Sequence, residues 1–137
     1  MENRAKEILL VDNFRPKRKA LKMFLEKSGF NKVHEADDGE DAYSMLKNHK
    51  DYVVVSSSNM PKMDGMTLLK KIRDDKTLEE VPVLMMISEN EEEQMLDAIF
   101  ELPQPYKEGV NSYIFKPFKA ENLKDKLTEI LDTTGYN

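Results

Sequence analysis

Short apolar runs alternate along the chain with longer segments whose apolar residues recur at helical spacing. The runs cover residues 7–11, 32–36, 52–56, 82–87 and 112–115. Uninterrupted stretches such as Val53-Val54-Val55 suit strands covered on both faces, as in a parallel sheet between helices. In the intervening segments Leu21, Phe24 and Leu25 share one helical face, as do Ala42, Met45 and Leu46, then Leu68, Leu69 and Ile72. Leu123, Leu127, Ile130 and Leu131 repeat the pattern in a last helix. Punctuation agrees: Pro16 suits a first turn, Gly29 follows the first helix, Asp38 suits an N-cap, and Ser88 with Glu91 reads as a capping box.

Five strand–helix units in series predict an α/β doubly wound fold, a parallel five-stranded sheet with right-handed crossovers. In such sheets ligands gather at the carboxyl ends of the strands, so the loops after Val11, Ser56, Ile87 and Phe115 are the ones to search. No internal repeat or linker interrupts residues 1–137, so the expectation is a single domain without an output domain.

Composition narrows the chemistry. There is no cysteine, which excludes disulfide scaffolds, thiolate metal sites and thiol catalysis. The apolar run after the charged N-terminus is too short for a signal-peptide core or a membrane span, and the expected location is the cytoplasm. A net charge of −5 weighs against nucleic acid as the main partner.

Three motifs stand at the predicted strand ends: ILLVD at 8–12, NMPKMDG at 59–65 and KPF at 116–118. Together, on five βα units, they resemble the CheY-like receiver domain of two-component response regulators, over essentially the whole chain. The resemblance implies a flavodoxin/CheY-like (βα)5 sheet of strand order 2-1-3-4-5 and a signalling module rather than an enzyme. It also implies a site in which two acidic residues after the first strand and an aspartate after the third hold Mg²⁺. That third-strand aspartate accepts a phosphoryl group, which a Thr or Ser after the fourth strand and a Lys after the fifth then contact.

Carried over position by position, the match is partial. Asp12 keeps the first acidic place, Asn13 is neutral, the acceptor position holds Ser57 between Ser56 and Ser58, and the hydroxyl position holds Ile87. Lys116 is kept, Tyr113 stands at the place of the movable aromatic, and Asn59 still offers a backbone carbonyl. With one carboxylate left, only weak or absent Mg²⁺ binding is expected, and Asp12 with Asn59 would be its residue. Serine is a poor nucleophile without a neighbouring base. The expectation is a degenerate receiver, with Lys116 free to pair with Asp12 and a cis bond before Pro117, the isomer that proline makes accessible.

Other features have a plain reading beside a functional one. The serine triplet fills space where an aspartate is missing, or is a phosphoserine site needing a kinase. Arg15, Lys17, Arg18, Lys19 and Lys22 form a solvated face, or a docking surface on the helix that receivers offer to phosphotransfer partners. The acidic run at 89–93 opens a helix, where the macrodipole favours negative charge. The segment 102–108, with Pro103, Pro105 and Tyr106, reads as an insertion that remodels the output face, or as a neutral loop. The nine methionines read as core filling, and His34 and His49 have no assigned role.

The favoured function is phosphorylation-independent binding of a signalling protein, a kinase or output component, by a monomer or weak homodimer. Phosphorylation at a non-standard residue (Asp12, Asp64 or one of the serines) is the alternative. A nucleotide-binding enzyme is disfavoured, because the loop DNFRPKR lacks the glycines that let a backbone approach phosphate.

Overall fold

The computed structural model describes residues 7–30, 32–49, 51–88, 92–101 and 112–133. The apolar runs form β1 (Glu7–Val11), β2 (Val33–Ala36), β3 (Tyr52–Ser57), β4 (Val83–Ile87) and β5 (Ser112–Phe115). All pair in parallel, in the order β2-β1-β3-β4-β5. Three boundaries differ from the sequence expectation, one of them at β4, which begins at Val83 and leaves Pro82 outside. Lys32 lies outside β2 but still lends its carbonyl to the Ile8 N–H at 2.9 Å. β3 runs one residue past its expected end because Ser57 stays in register with Met86.

Five helices alternate with the strands: α1 (Arg15–Lys27), α2 (Gly39–Asn48), α3 (Gly65–Asp74), α4 (Glu92–Phe100) and α5 (Ala120–Thr133). The pleat sends alternate strand residues to opposite faces. Leu9, Val11, Val54, Met85 and Ile87 pack with Ala42 and Leu46 of α2, Leu68, Leu69 and Ile72 of α3, and Ile99 of α4. Ile8, Leu10, Val53, Val55 and Met86 pack with Leu21 and Leu25 of α1 and with Leu123, Leu127 and Ile130 of α5. Each such fully buried aliphatic side chain contributes about 1.5–3 kcal/mol relative to exposure.

The helix starts follow from local chemistry. Pro16 sits in the first turn of α1, and Gly29 ends that helix at φ +105°, the left-handed region where a side chain is strained. The Asp38 carboxylate accepts the Asp41 N–H at 3.0 Å and caps α2; Asp64 accepts the Thr67 N–H at 2.9 Å and caps α3. Glu91, half of the expected capping box at Ser88, lies outside the described residues. At Gly65 a Cβ would stand 2.5 Å from the Ser57 carbonyl oxygen, so the start of α3 is pressed against the end of β3. Met60, Met85 and Met86 are buried in the core, while Met63 and Met66 pack against it half-buried. No described helix is long and apolar enough to cross a membrane.

Candidate functional site

Parallel register gathers the candidate residues at one edge of the sheet. Val11 is level with Ser56, which sets Asp12 beside Ser57; Ile87 is level with Phe115, which sets Lys116 at the end of β4. Backbone hydrogen bonds extend the ladder past the strands: Asp12 N–H donates to the Ala36 carbonyl at 3.2 Å, Ser58 N–H to Met86 at 2.8 Å, and Lys116 N–H to Ile87 at 2.7 Å. The Lys116–Pro117 peptide is cis.

The Lys116 ammonium lies between the two neighbouring strand ends. It donates to the Ser57 Oγ at 3.1 Å and stands 3.5 Å from the Asp12 Oδ2. The Ser57 hydroxyl in turn points its proton at the Asn59 carbonyl, 3.4 Å away. Asp12 also accepts the Phe14 N–H at 3.0 Å on its other oxygen. Asp12 and Ser57 are both buried, Ser57 to within 2% of full burial. Asn13 and Asn59 are exposed. Ile87 is wholly buried and belongs to the core beneath α2 and α3, so β4 ends without a side-chain donor.

A hard divalent cation needs several oxygen ligands, carboxylates foremost. Among Asp12, Asn13, Ser57 and Asn59 only Asp12 supplies a carboxylate side chain, and an ammonium already faces it. These residues do not fit the Mg²⁺ that the receiver resemblance implies.

Arg18 corrects the sequence expectation of an evenly solvated basic face. Its side chain is only 6% exposed and turns under α1. Nε donates to Glu35 Oε1 at 2.7 Å, and Nη1 reaches the Asp12 carbonyl at 2.6 Å, Asp37 Oδ1 at 2.7 Å and the Ala36 carbonyl at 3.3 Å. Burial works against the Arg18 cation, but the hydrogen bonds to Glu35 and Asp37 outweigh it and hold its pKa above the ordinary value. Burial likewise pushes the Glu35 carboxyl up, yet hydrogen bonds from Arg18 and Lys19 prevail and hold it below the usual range. Lys19 and Lys22 reach Glu35 Oε2 at 3.0 and 3.7 Å.

Arg15 is exposed beside this network and lines a cleft of about 480 Å³ between α1 and α2, with Asp37, Asp41 and Met45 on its far side. Phe14 and Met23 are exposed apolar side chains on or next to α1. Tyr113 is 36% exposed, its ring tilted against Phe115 at 5.5 Å, and with Pro117 it borders a second cleft of about 500 Å³ against α5. Pro103, Pro105 and Tyr106 lie outside the described residues.

Sequence reasoning missed one cluster at the opposite edge of the sheet. His34 Nε2 stands 2.6 Å from Glu7 Oε1 and His49 Nε2 3.7 Å from the same atom, both rings edge-on to Tyr52. Only the β1–β2 register and the end of α2 bring these residues together, so no local pattern announced them.

Comparison with known proteins agrees with the fold and the motifs. Residues 8–128 match the response regulator receiver domain. The chain is 44% identical over 130 residues to the chemotaxis protein CheY-3 of Vibrio cholerae, covering 95% of each. It is 38% identical over 126 residues to the chemotaxis protein CheY of Pseudomonas aeruginosa, covering 92% of this chain and 96% of that one. A solved CheY-like receiver domain protein from Methanospirillum hungatei superposes with a TM-score of 0.77 at 27% identity, covering 96% and 98% of the two chains. The chain belongs to the response regulator receiver domain family.

Proposed function

We propose that this receiver signals by binding a protein partner and not by accepting a phosphoryl group on the end of β3. Receivers are non-enzymatic modules of two-component signalling that interact with kinases or output components. The observation that carries the narrower reading is the state of Ser57. Its oxygen accepts from the Lys116 ammonium, its proton is directed at the Asn59 carbonyl, and no base adjoins it among its hydrogen-bond partners. A backbone carbonyl is too weak a base to take that proton, and the lysine hydrogen bond draws density from the oxygen, so the hydroxyl is a poor nucleophile toward phosphorus. Burial of Ser57 also keeps it from a protein kinase.

The alternative acceptors are weaker. Asp64 is engaged as the α3 cap, and the Asp12 carboxylate is held by Lys116 and the Phe14 N–H. The binding surface we assign is the exposed side of α1, where Arg15 and Lys19 flank Phe14 and Met23. Apolar centres with charged rims are the usual anatomy of such contacts, and the rim here fits an acidic partner.

Intact-mass measurement after incubation with acetyl phosphate and Mg²⁺ tests the reading. We expect no phosphoryl adduct on the parent protein. An adduct, mapped to any residue, overturns it in favour of a receiver phosphorylated at a non-standard position.

A further inference from the structure

The buried Arg18 has a role that a core-filling residue would not need. Its Nη1 donates to the Asp12 backbone carbonyl, while the Lys116 ammonium faces the Asp12 carboxylate. Among its further partners, Glu35 divides its oxygens: Oε1 goes to Arg18, and Oε2 goes outward to Lys19 and Lys22 on α1. A continuous series of polar contacts therefore runs from the α1 surface through Glu35 and Arg18 to the Asp12 backbone carbonyl, and from the Asp12 carboxylate to Lys116 at the end of β5.

We propose that Arg18 is a positioning residue that transmits occupancy of the α1 surface to the Asp12–Lys116 pair. The inference rests on the partner-binding reading and says how such binding is felt at the site. A partner carboxylate that engages Lys19 and Lys22 draws them from Glu35. Glu35 then serves Arg18 alone, the guanidinium shifts its share of contact among Glu35, Asp37 and the Asp12 carbonyl, and the carboxylate facing Lys116 turns with its backbone. Lys116 leads directly from β5, whose Tyr113 is exposed beside the cleft against α5. Signal thus crosses the carboxyl edge of the sheet without a phosphoryl group. Coupling of this kind requires a packed and bonded path and a demonstration that cutting the path abolishes it.

The path can be cut without changing net charge. The side-chain ammonium and Cε–Hε resonances of Lys116, assigned by their loss in Lys116→Arg, report on the pair by NMR. In the parent background, replacing the surface lysines (Lys19→Met with Lys22→Met) is expected to shift the Lys116 resonances. In an Arg18→Lys background, which keeps the cation but loses the planar fork, the same replacement is expected to leave Lys116 unmoved. Equal shifts in both backgrounds would show through-space field alone and overturn the proposal, as would no shift in either. Should Arg18→Lys fail to fold, Glu35→Gln cuts the same path one residue earlier; it alters net charge by one, which both proteins of that comparison share, so the surface-lysine replacement is again expected to leave Lys116 unmoved. The measurement needs no partner and no phosphoryl donor. Its failure therefore leaves the binding reading standing, and an adduct in the mass experiment leaves this coupling standing.

Discussion

Glu35 joins three basic side chains of α1 to the end of β2, and its ionisation should be visible in stability. Its carboxyl is held below the usual range in the folded chain, against about 4.3 for a free glutamate. A group depressed on folding stabilises above its unfolded pKa, and that contribution is lost as pH falls through the folded value. Glu35→Gln is therefore expected to lower stability by about 1.5–3 kcal/mol at neutral pH, the scale of a hydrogen bond to a charged group. The difference should shrink below about pH 4 and vanish once the parent carboxyl is itself protonated. Thermal unfolding of both proteins from pH 7 to pH 3 checks this; a constant difference across that range would contradict the ion-pair account. Arg18 explains why sequence was silent here. A basic run on an amphipathic helix reads as solvated, and only pairing of β2 beside β1 supplies the acceptors that make burial of one of its members tolerable.

The strands and helices were far more legible than these contacts, because each is set by local pattern. Val53-Val54-Val55 announced β3, and the cap at Asp38 and the stop at Gly29 are decided within a few residues. Where a polar residue extends an element, the pattern fails: the run read from the sequence stops at Ser56, nothing in Ser57 signals a strand, and its pairing with Met86 is a long-range fact. The cap at Asp64 also separates two meanings of the MDG turn. Its carboxylate holds the Thr67 N–H at the start of α3, so Asp64→Ala should cost about 1 kcal/mol, the usual worth of an N-cap. In calorimetry that corresponds to a midpoint lower by several degrees. The same substitution should leave the intact-mass result unchanged. A stability equal to that of the parent would mean that the cap contributes nothing and that Asp64 is free for another role.

Across the sheet, the scaffold and the chemistry separate. Order and register of five parallel strands place Asp12, Ser57, Ile87 and Lys116 together whatever their side chains are, and the core that enforces this lies on both faces beneath the helices. The motifs at the strand ends therefore named residues that meet in the fold, including the expected pairing of Lys116 with Asp12, whereas the Lys116 contact with Ser57 is visible only in three dimensions. Restoring carboxylates to this scaffold should expose the difference. In Asn13→Asp with Ser57→Asp, three carboxylates would face one lysine, and like charges at close range oppose one another's ionisation. The double variant is expected to unfold at a lower temperature than the parent in the absence of divalent cations. It should then recover with added Mg²⁺, since a ligand bound only by the folded state stabilises by about 2.7 kcal/mol at a hundredfold excess over Kd. The parent, with one carboxylate and an internal ammonium opposite it, should show no such recovery over the same Mg²⁺ titration. If the parent midpoint rises with Mg²⁺ as far as that of the variant, Asp12 and its neighbours suffice as a metal site. The case against phosphoryl chemistry on β3 would then lose its electrostatic half.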